Sequence, residues 1–172
     1  MRRVGLLGGA FNPPHEGHLR LARLALEHLE LDELWFVPTA QSPHKSDPGG
    51  ASPEARLRLL REALEGFDPR VGVAALELER GGTSYTVDTL EALRAQEPAT
   101  AWVLIMGSDQ VPGLAAWRRP ERIFELASAA IALRPGVPPS SLDLPWLHPV
   151  DRWSGAPGEW VALPTTLSLI HI

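Results

Sequence analysis

Cysteine is missing from this 172-residue chain, and its absence removes disulfide frameworks, zinc–thiolate sites and cysteine nucleophiles together. Long apolar runs are missing too: none approaches the roughly 20 residues of a membrane span. The start, Met1-Arg2-Arg3 and a short apolar run, is interrupted by Gly8, Gly9, Asn12, Pro13 and Pro14 too early for a signal peptide, so a cytoplasmic protein is expected. Positive charge is in deficit, with 16 Lys and Arg against 21 Asp and Glu, a net charge of −5 and a pI near 5.7. Broad binding to nucleic acid is therefore not expected, whereas a small anionic ligand needs only a few local donors. What is present is 44% apolar and 22% charged residues, enough for one domain that buries roughly 70% of its unfolded surface. No linker or internal repeat divides residues 1–172.

Along the chain, apolar runs alternate with helical periods. Val4–Leu7 reads as a strand ending at Gly8-Gly9, and Leu19, Ala22, Leu26 and Leu29 mark a helix over 17–29. Leu34–Val37 reads as a second strand, followed by a Pro-, Gly- and Ser-rich loop from Thr39 to Ser52. Ser52-Pro53-Glu54 then opens a helix with a cap, a proline at the first position and an acid in the first turn. Val71–Leu78 reads as a third strand, Thr86–Gln96 as a helix, and Trp102–Met106 as a strand buried on both faces. A helix over Pro120–Leu126 and strands at Ala129–Leu133 and Trp160–Leu163 follow, with Trp146 and Trp153 as packing anchors in the long connection between the last two. The alternation predicts an α/β fold, a Rossmann-like doubly wound open parallel sheet in a single domain.

In such a sheet ligands gather beyond the carboxyl ends of the strands. The first turn reads Gly8-Gly9-Ala10-Phe11-Asn12-Pro13-Pro14-His15-Glu16-Gly17-His18. It lacks both the Gly-Lys-Ser/Thr of a Walker loop and the Gly-x-Gly-x-x-Gly dinucleotide fingerprint. It keeps the chemistry of an anion site: glycines that admit close backbone approach, free N–H groups at a helix start, and two histidines three residues apart on one helical face. Two imidazoles with pKa values near 6.5 can grip a phosphoryl group together and donate as charge builds on its oxygens. The same spacing also suits one packed and one solvated histidine. The His-Glu-x-x-His spacing of a metalloprotease is absent.

The string Gly8-Gly9-x-Phe11-Asn12-Pro13-x-His15-x-Gly17-His18 resembles the signature of the nucleotidyltransferase superfamily that transfers AMP or CMP from a nucleoside triphosphate. Its long form is similar to that of bacterial nicotinate mononucleotide adenylyltransferases. The resemblance implies His15 and His18 as catalytic residues, and Gly8, Gly9, Phe11, Asn12, His15 and His18 as the phosphate turn that receives ATP.

Later stretches resemble the same family. Ser42-Pro43-His44-Lys45 puts Lys45 near the reacting nucleotides, although a solvated loop lysine is the alternative. Glu77-x-x-Arg80 precedes Ser84-Tyr85-Thr86-x-Asp88-Thr89-Leu90, in which Thr86 stands where a nicotinate carboxylate is read beside Ser84 and Tyr85; locally, Ser84 or Thr86 also suits a helix cap. Gly107-Ser108-Asp109 follows the most buried strand, and the resemblance gives Asp109 contacts to both nucleotides; Asp109 also suits a cap. Trp117 matches the ring that stacks on pyridine, with a half-buried surface tryptophan as the alternative. Arg134 matches a position at the edge of the nicotinate nucleotide site.

These correspondences imply adenylyl transfer from ATP to nicotinate mononucleotide, with Mg2+ held mainly by ATP and water rather than by protein ligands. Other readings are a related enzyme using nicotinamide mononucleotide or phosphopantetheine, or a nucleotide-binding module with little catalysis. The last is prompted by the C-terminal stretch. The family's Ile-Ser-Ser-Thr-x-Ile-Arg is matched only by Ser168, an expected triphosphate contact, so an altered or missing motif and helix are expected after about residue 168.

Overall fold

The computed structural model describes residues 1–40 and 51–164. Seven strands form one sheet in which every pairing is parallel, in the order β3-β2-β1-β4-β5-β7-β6. They are β1 (Arg3–Gly9), β2 (Glu33–Pro38), β3 (Val71–Val73), β4 (Ala101–Gly107), β5 (Ala127–Ala132), β6 (His148–Pro149) and β7 (Glu159–Leu163). The helices are α1 (Glu16–His28), α2 (Pro53–Ala63), α3 (Leu76–Arg80), α4 (Thr86–Gln96) and α5 (Pro120–Leu126), with a 3-10 helix over Ser108–Ala116. The doubly wound α/β architecture is as expected from the alternation.

Each face of the sheet has its own apolar layer. On one side α1 and α2 bring Ala22, Ala25, Leu26 and Leu60 onto Leu7, Phe36, Val103 and Ile105. On the other, α4 and α5 bring Val87, Leu90, Ile123 and Phe124 onto Leu6, Leu104 and Met106. Strand β4 is buried from Ala101 to Met106, the signature of a central parallel strand covered on both sides. Ser52 caps α2 by accepting from the Ala55 N–H, and Pro53 opens the helix.

One expectation fails. The third strand ends at Val73 and Leu76–Arg80 is helical. Strand β3 is an edge strand that pairs with β2 only from Leu34 to Phe36, so little holds the chain extended beyond that. Glu77 instead turns its carboxylate inward to accept from the Thr89 hydroxyl at 2.6 Å.

The register locates the site. Strands β1 and β4 pair only from Arg3↔Ala101 to Leu6↔Leu104, while β1 follows β2 to Gly9↔Pro38 and β4 follows β5 to Gly107↔Ala132. The two central strands therefore part over their last residues. This is also where the winding reverses, so a crevice opens at the topological switch point.

Candidate active site

Both histidines are held by the backbone of the helix they start. His15 is the N-cap of α1. Its Nδ1 accepts from the Gly17 N–H at 3.1 Å, and the His15 N–H donates to Nδ1 of His18 at 3.0 Å. This reciprocal box satisfies donors that a helix start otherwise leaves free. It also fixes the tautomers: an Nδ1 that accepts carries no proton, so in each neutral ring the hydrogen is on Nε2. The rings stack with centroids 3.7 Å apart, and Phe11 meets His18 edge-on at 4.8 Å. Burial, followed by the nearby charge of His15, lowers the His18 pKa to about 4. The expected titration near 6.5 is thus corrected for His18, which is a neutral N–H donor at physiological pH.

The turn before the helix is shaped around this pair. Phe11 lies at φ 49°, in the left-handed region that side chains rarely adopt. Its ring is 2% exposed and also packs on Phe36. The Phe11 ring thus belongs to the core and supports His18. Asn12 faces outward, its Oδ1 accepting from the Ala51 N–H at 3.3 Å. Gly17 is required by closeness: a Cβ there would lie 2.9 Å from Cε1 of His15.

Across the sheet, on the α4 and α5 side, a cavity of about 580 Å³ reaches from Gly8 and Gly9 to Ser84, Tyr85, Thr86, Asp109 and Trp117. Stretches far apart in the sequence meet there. Trp117 is half-buried against the core. The Arg118 guanidinium lies 4.7 Å from the centre of the Tyr85 ring, within cation–π range. Asp109 sits beyond Gly107, where a Cβ would lie 2.5 Å from its Oδ1.

The cap assignments at 84–86 and 109 are corrected. Tyr85 is the N-cap of α4 and its side chain makes no capping bond, so among the described residues no cap takes the N–H groups that open α4. Ser84, 4% exposed, instead accepts from the Ala40 N–H at 3.1 Å. Ser84 thereby ties the end of β2 to the cavity that it also lines. Asp109 lies in the first turn of the 3-10 helix, which has no side-chain cap.

Arg134 is not brought to the Trp117 cavity. It lines a second cavity, of about 540 Å³, with His28, Leu29, Asp151 and Val161. The turn after β5, closed by the Val137 N–H on the Arg134 carbonyl with Gly136 at φ 82°, leads the chain there. Lys45 and Ser168 lie outside the described residues.

Two residues were not singled out as site residues in the sequence. Glu77 is 6% exposed and lines the first cavity; Thr89 donates to it at 2.6 Å, and Arg80 donates to Thr89 at 3.1 Å. Burial raises its pKa, against the Thr89 bond and the Arg80 charge, which lower it. Arg56 is also 6% exposed and donates to three backbone carbonyls beside the glycine turn. The spacing Glu77-x-x-Arg80 was a signal for the first. For Arg56, an arginine on the apolar side of α2 was the only trace.

A profile of the cytidylyltransferase-like family matches residues 6–166. The chain belongs to that family. Among its relatives, a protein of Salinibacter ruber named probable nicotinate-nucleotide adenylyltransferase is 41% identical over 154 residues, 90% of this chain and 78% of the relative. A protein of the same name from Halalkalibacterium halodurans is 40% identical over 137 residues, 80% of this chain and 66% of that protein. The family fold recurs in the nicotinic acid mononucleotide adenylyltransferase of Plasmodium falciparum, solved in complex with NaAD. That structure has a TM-score of 0.72 at 16% identity, over 100% of this chain and 80% of that one. No helix among the described residues is long and apolar enough to cross a membrane.

Proposed function

We propose that this chain transfers the adenylyl group of ATP to nicotinate mononucleotide, giving nicotinate adenine dinucleotide and pyrophosphate. The observation that carries this reading is the placement of two half-sites on opposite faces of one sheet. A cavity with an aromatic wall lies on the α4 side, a pair of Nε2–H donors lies on the α1 side, and the parting of β1 and β4 over Gly8 and Gly9 joins them. A reaction between two nucleotides needs such an arrangement, and the names of the relatives fit it.

The acceptor's pyridine ring stacks on Trp117. Its carboxylate meets the free N–H groups at the start of α4, at Tyr85 and Thr86, with the Arg118 cation nearby. ATP lies on the α1 side, over the glycine turn and the two histidines. An oxygen of the acceptor phosphate attacks the α-phosphorus in line; the new P–O bond forms as the bond to the bridging oxygen breaks, and that electron pair leaves on pyrophosphate. The attacking oxygen is already anionic, so no general base is needed. Catalysis is positioning and charge stabilisation.

His15 and His18 donate from Nε2 to oxygens on which charge grows, and Gly8 and Gly9 let the backbone come close. Among the described residues no group of three or more His, Asp or Glu could hold a metal. Asp109, exposed at the cavity edge, is the carboxylate placed to receive a water of hydration. Magnesium bound by the triphosphate and water would draw charge from the phosphate oxygens. The same reading assigns the protein to the cytoplasm.

The test is pyrophosphate release from ATP with nicotinate mononucleotide, nicotinamide mononucleotide or phosphopantetheine offered in turn. The first is expected to be preferred by at least an order of magnitude. Equal rates with the first two would refute the acceptor assignment, and no release with any of them would leave a nucleotide-binding module.

A further inference from the structure

Arg56 carries a charge into the protein interior, and its hydrogen-bond partners among the described residues are neutral. One Nη1 donates to the Ala10 carbonyl at 2.7 Å and to the Thr39 carbonyl at 2.8 Å, and Nη2 donates to the Ala40 carbonyl at 3.3 Å. The side chain is 6% exposed, and none of the ion pairs among the described residues includes it. Burying a cation without a counter-charge is costly, and carbonyl dipoles offset that only in part. A guanidinium in such a place needs a reason beyond packing.

The three carbonyls supply one. Ala10 follows Gly8-Gly9 in the turn that leads to the histidines, and Thr39 and Ala40 follow β2. The Thr39 N–H bonds the Gly9 carbonyl at 3.0 Å, and the Ala40 N–H bonds Ser84. Arg56 thus closes a frame of polar bonds that runs from the glycine turn, across the ends of β1 and β2, to the start of α4. Each half-site is tied to it: the α1 turn through Ala10, and the acceptor cavity through Ala40 and Ser84. A planar fork with several fixed donors can hold carbonyls from two strand ends at once; a lysine ammonium on a flexible stem cannot do so with the same geometry.

We infer that Arg56 is a positioning residue for this site, setting the glycine turn against the acceptor cavity and placing a fixed positive charge beneath the phosphates that the turn receives. The inference rests on the adenylyl-transfer reading for its kinetic arm and on the structure alone for its binding arm. Geometry and charge separate in two substitutions. Arg56→Lys keeps the charge and loses the fork; Arg56→Met loses both and leaves the carbonyls without donors.

The experiment uses the full chain, with Arg58→Met, an exposed position on the same helix, as the control. Steady-state kinetics, calorimetric binding of inorganic pyrophosphate, and the nitrogen resonances of His18 at neutral pH are recorded for each variant. Arg56→Lys is expected to lower kcat about tenfold to a hundredfold, the scale of a misplaced reacting group, while pyrophosphate affinity stays within about threefold. Arg56→Met is expected to lose a further roughly tenfold in that affinity, and the Nε2–H tautomer of His18 is expected to give way to a mixture in both. Wild-type kcat and affinity in folded variants would overturn the inference. So would a loss of thermal stability and activity with an unchanged His18 tautomer and unchanged pyrophosphate binding, which is what packing alone would give. Should Arg56→Met fail to fold, the Arg56→Lys arm decides. If the wild-type chain releases no pyrophosphate from its substrates, the adenylyl-transfer reading fails, and the binding and tautomer arms still decide the role of Arg56.

Discussion

Replacing Gly17 by alanine is expected to make the protein no less stable and a much poorer catalyst. Gly17 sits in the first turn of α1, where its backbone is helical, so alanine is favoured there by up to about 1 kcal/mol. The added Cβ lies 2.9 Å from Cε1 and 3.0 Å from Nδ1 of His15. Ordinary contact needs about 3.4 Å, so the ring must retreat by about 0.5 Å. His15 is exposed, which makes that retreat cheap for the fold. The motion bends the bond from the Gly17 N–H and disturbs the 3.7 Å stack with His18, so both Nε2–H donors lose aim. Misplacement approaching 1 Å costs up to about a hundredfold, so a kcat loss of roughly ten- to a hundredfold is expected. The melting temperature should stay level or rise by about 2–4 °C, the shift that 1 kcal/mol gives at this size. Pyrophosphate-release kinetics and thermal unfolding on one preparation test this. A fall in melting temperature matching the loss of activity would show that Gly17 serves folding, and unchanged kcat would remove His15 from the reaction.

Deleting a donor outright is harsher: His18→Ala should cost about two to three orders of magnitude in kcat, and near-normal turnover in a folded variant would end the catalytic assignment. Trp117→Ala should weaken acceptor binding with ATP affinity kept, which competition calorimetry with each nucleotide resolves; equal losses would mean structural damage. Gly107→Ala pushes the Asp109 carboxylate from its place, and the expected result is an altered magnesium dependence of turnover with the fold intact. Because the folded-state pKa of His18 is about 4, below the ordinary 6.5, only the unfolded chain takes up this proton between those values. Stability should therefore fall as pH drops from 6.5 to 4, by about 1–2 kcal/mol once screening of a half-exposed ring is allowed for. The pH dependence of unfolding should be correspondingly flatter in His18→Gln, and equal slopes for the two proteins would contradict the burial effect.

The parts of this site that were legible in the sequence are those fixed by local geometry. A short apolar run, two glycines and a helical period define a strand, a turn and a helix start, and so put His15 and His18 at the N-terminus of α1. Likewise Thr86–Gln96 announced α4. Relations across the sheet were not legible. Ser84 reads locally as a cap, and only the ending of β2 beside it shows that its hydroxyl is taken by Ala40. Phe11 belongs to a ligand motif yet its ring serves the core, because a left-handed backbone turns it under His18. Arg134 falls on the other side from Trp117, since the direction of a turn after a strand is set by Gly136 and not by spacing. Arg56 was hidden for the same reason, its partners being carbonyls, which have no residue type.

An acidic protein that handles nucleotides has to attract phosphate without a basic surface, and the tautomers of the two histidines show how. With each Nδ1 engaged by a backbone N–H, Nε2 of each ring is left to donate, and the site does not rely on His18 being protonated. The start of α4 likewise offers N–H groups rather than ammonium groups to a carboxylate. A buried guanidinium under the turn then adds charge where the dielectric is low and its reach is greatest, while the chain as a whole keeps a net charge of −5. On this account, salt should affect ligand affinity only weakly, because buried and dipolar donors are screened far less than exposed lysines. Pyrophosphate affinity measured between 50 mM and 500 mM salt should change by no more than about threefold; a steep decline would put exposed cations, Arg118 among them, in charge of binding.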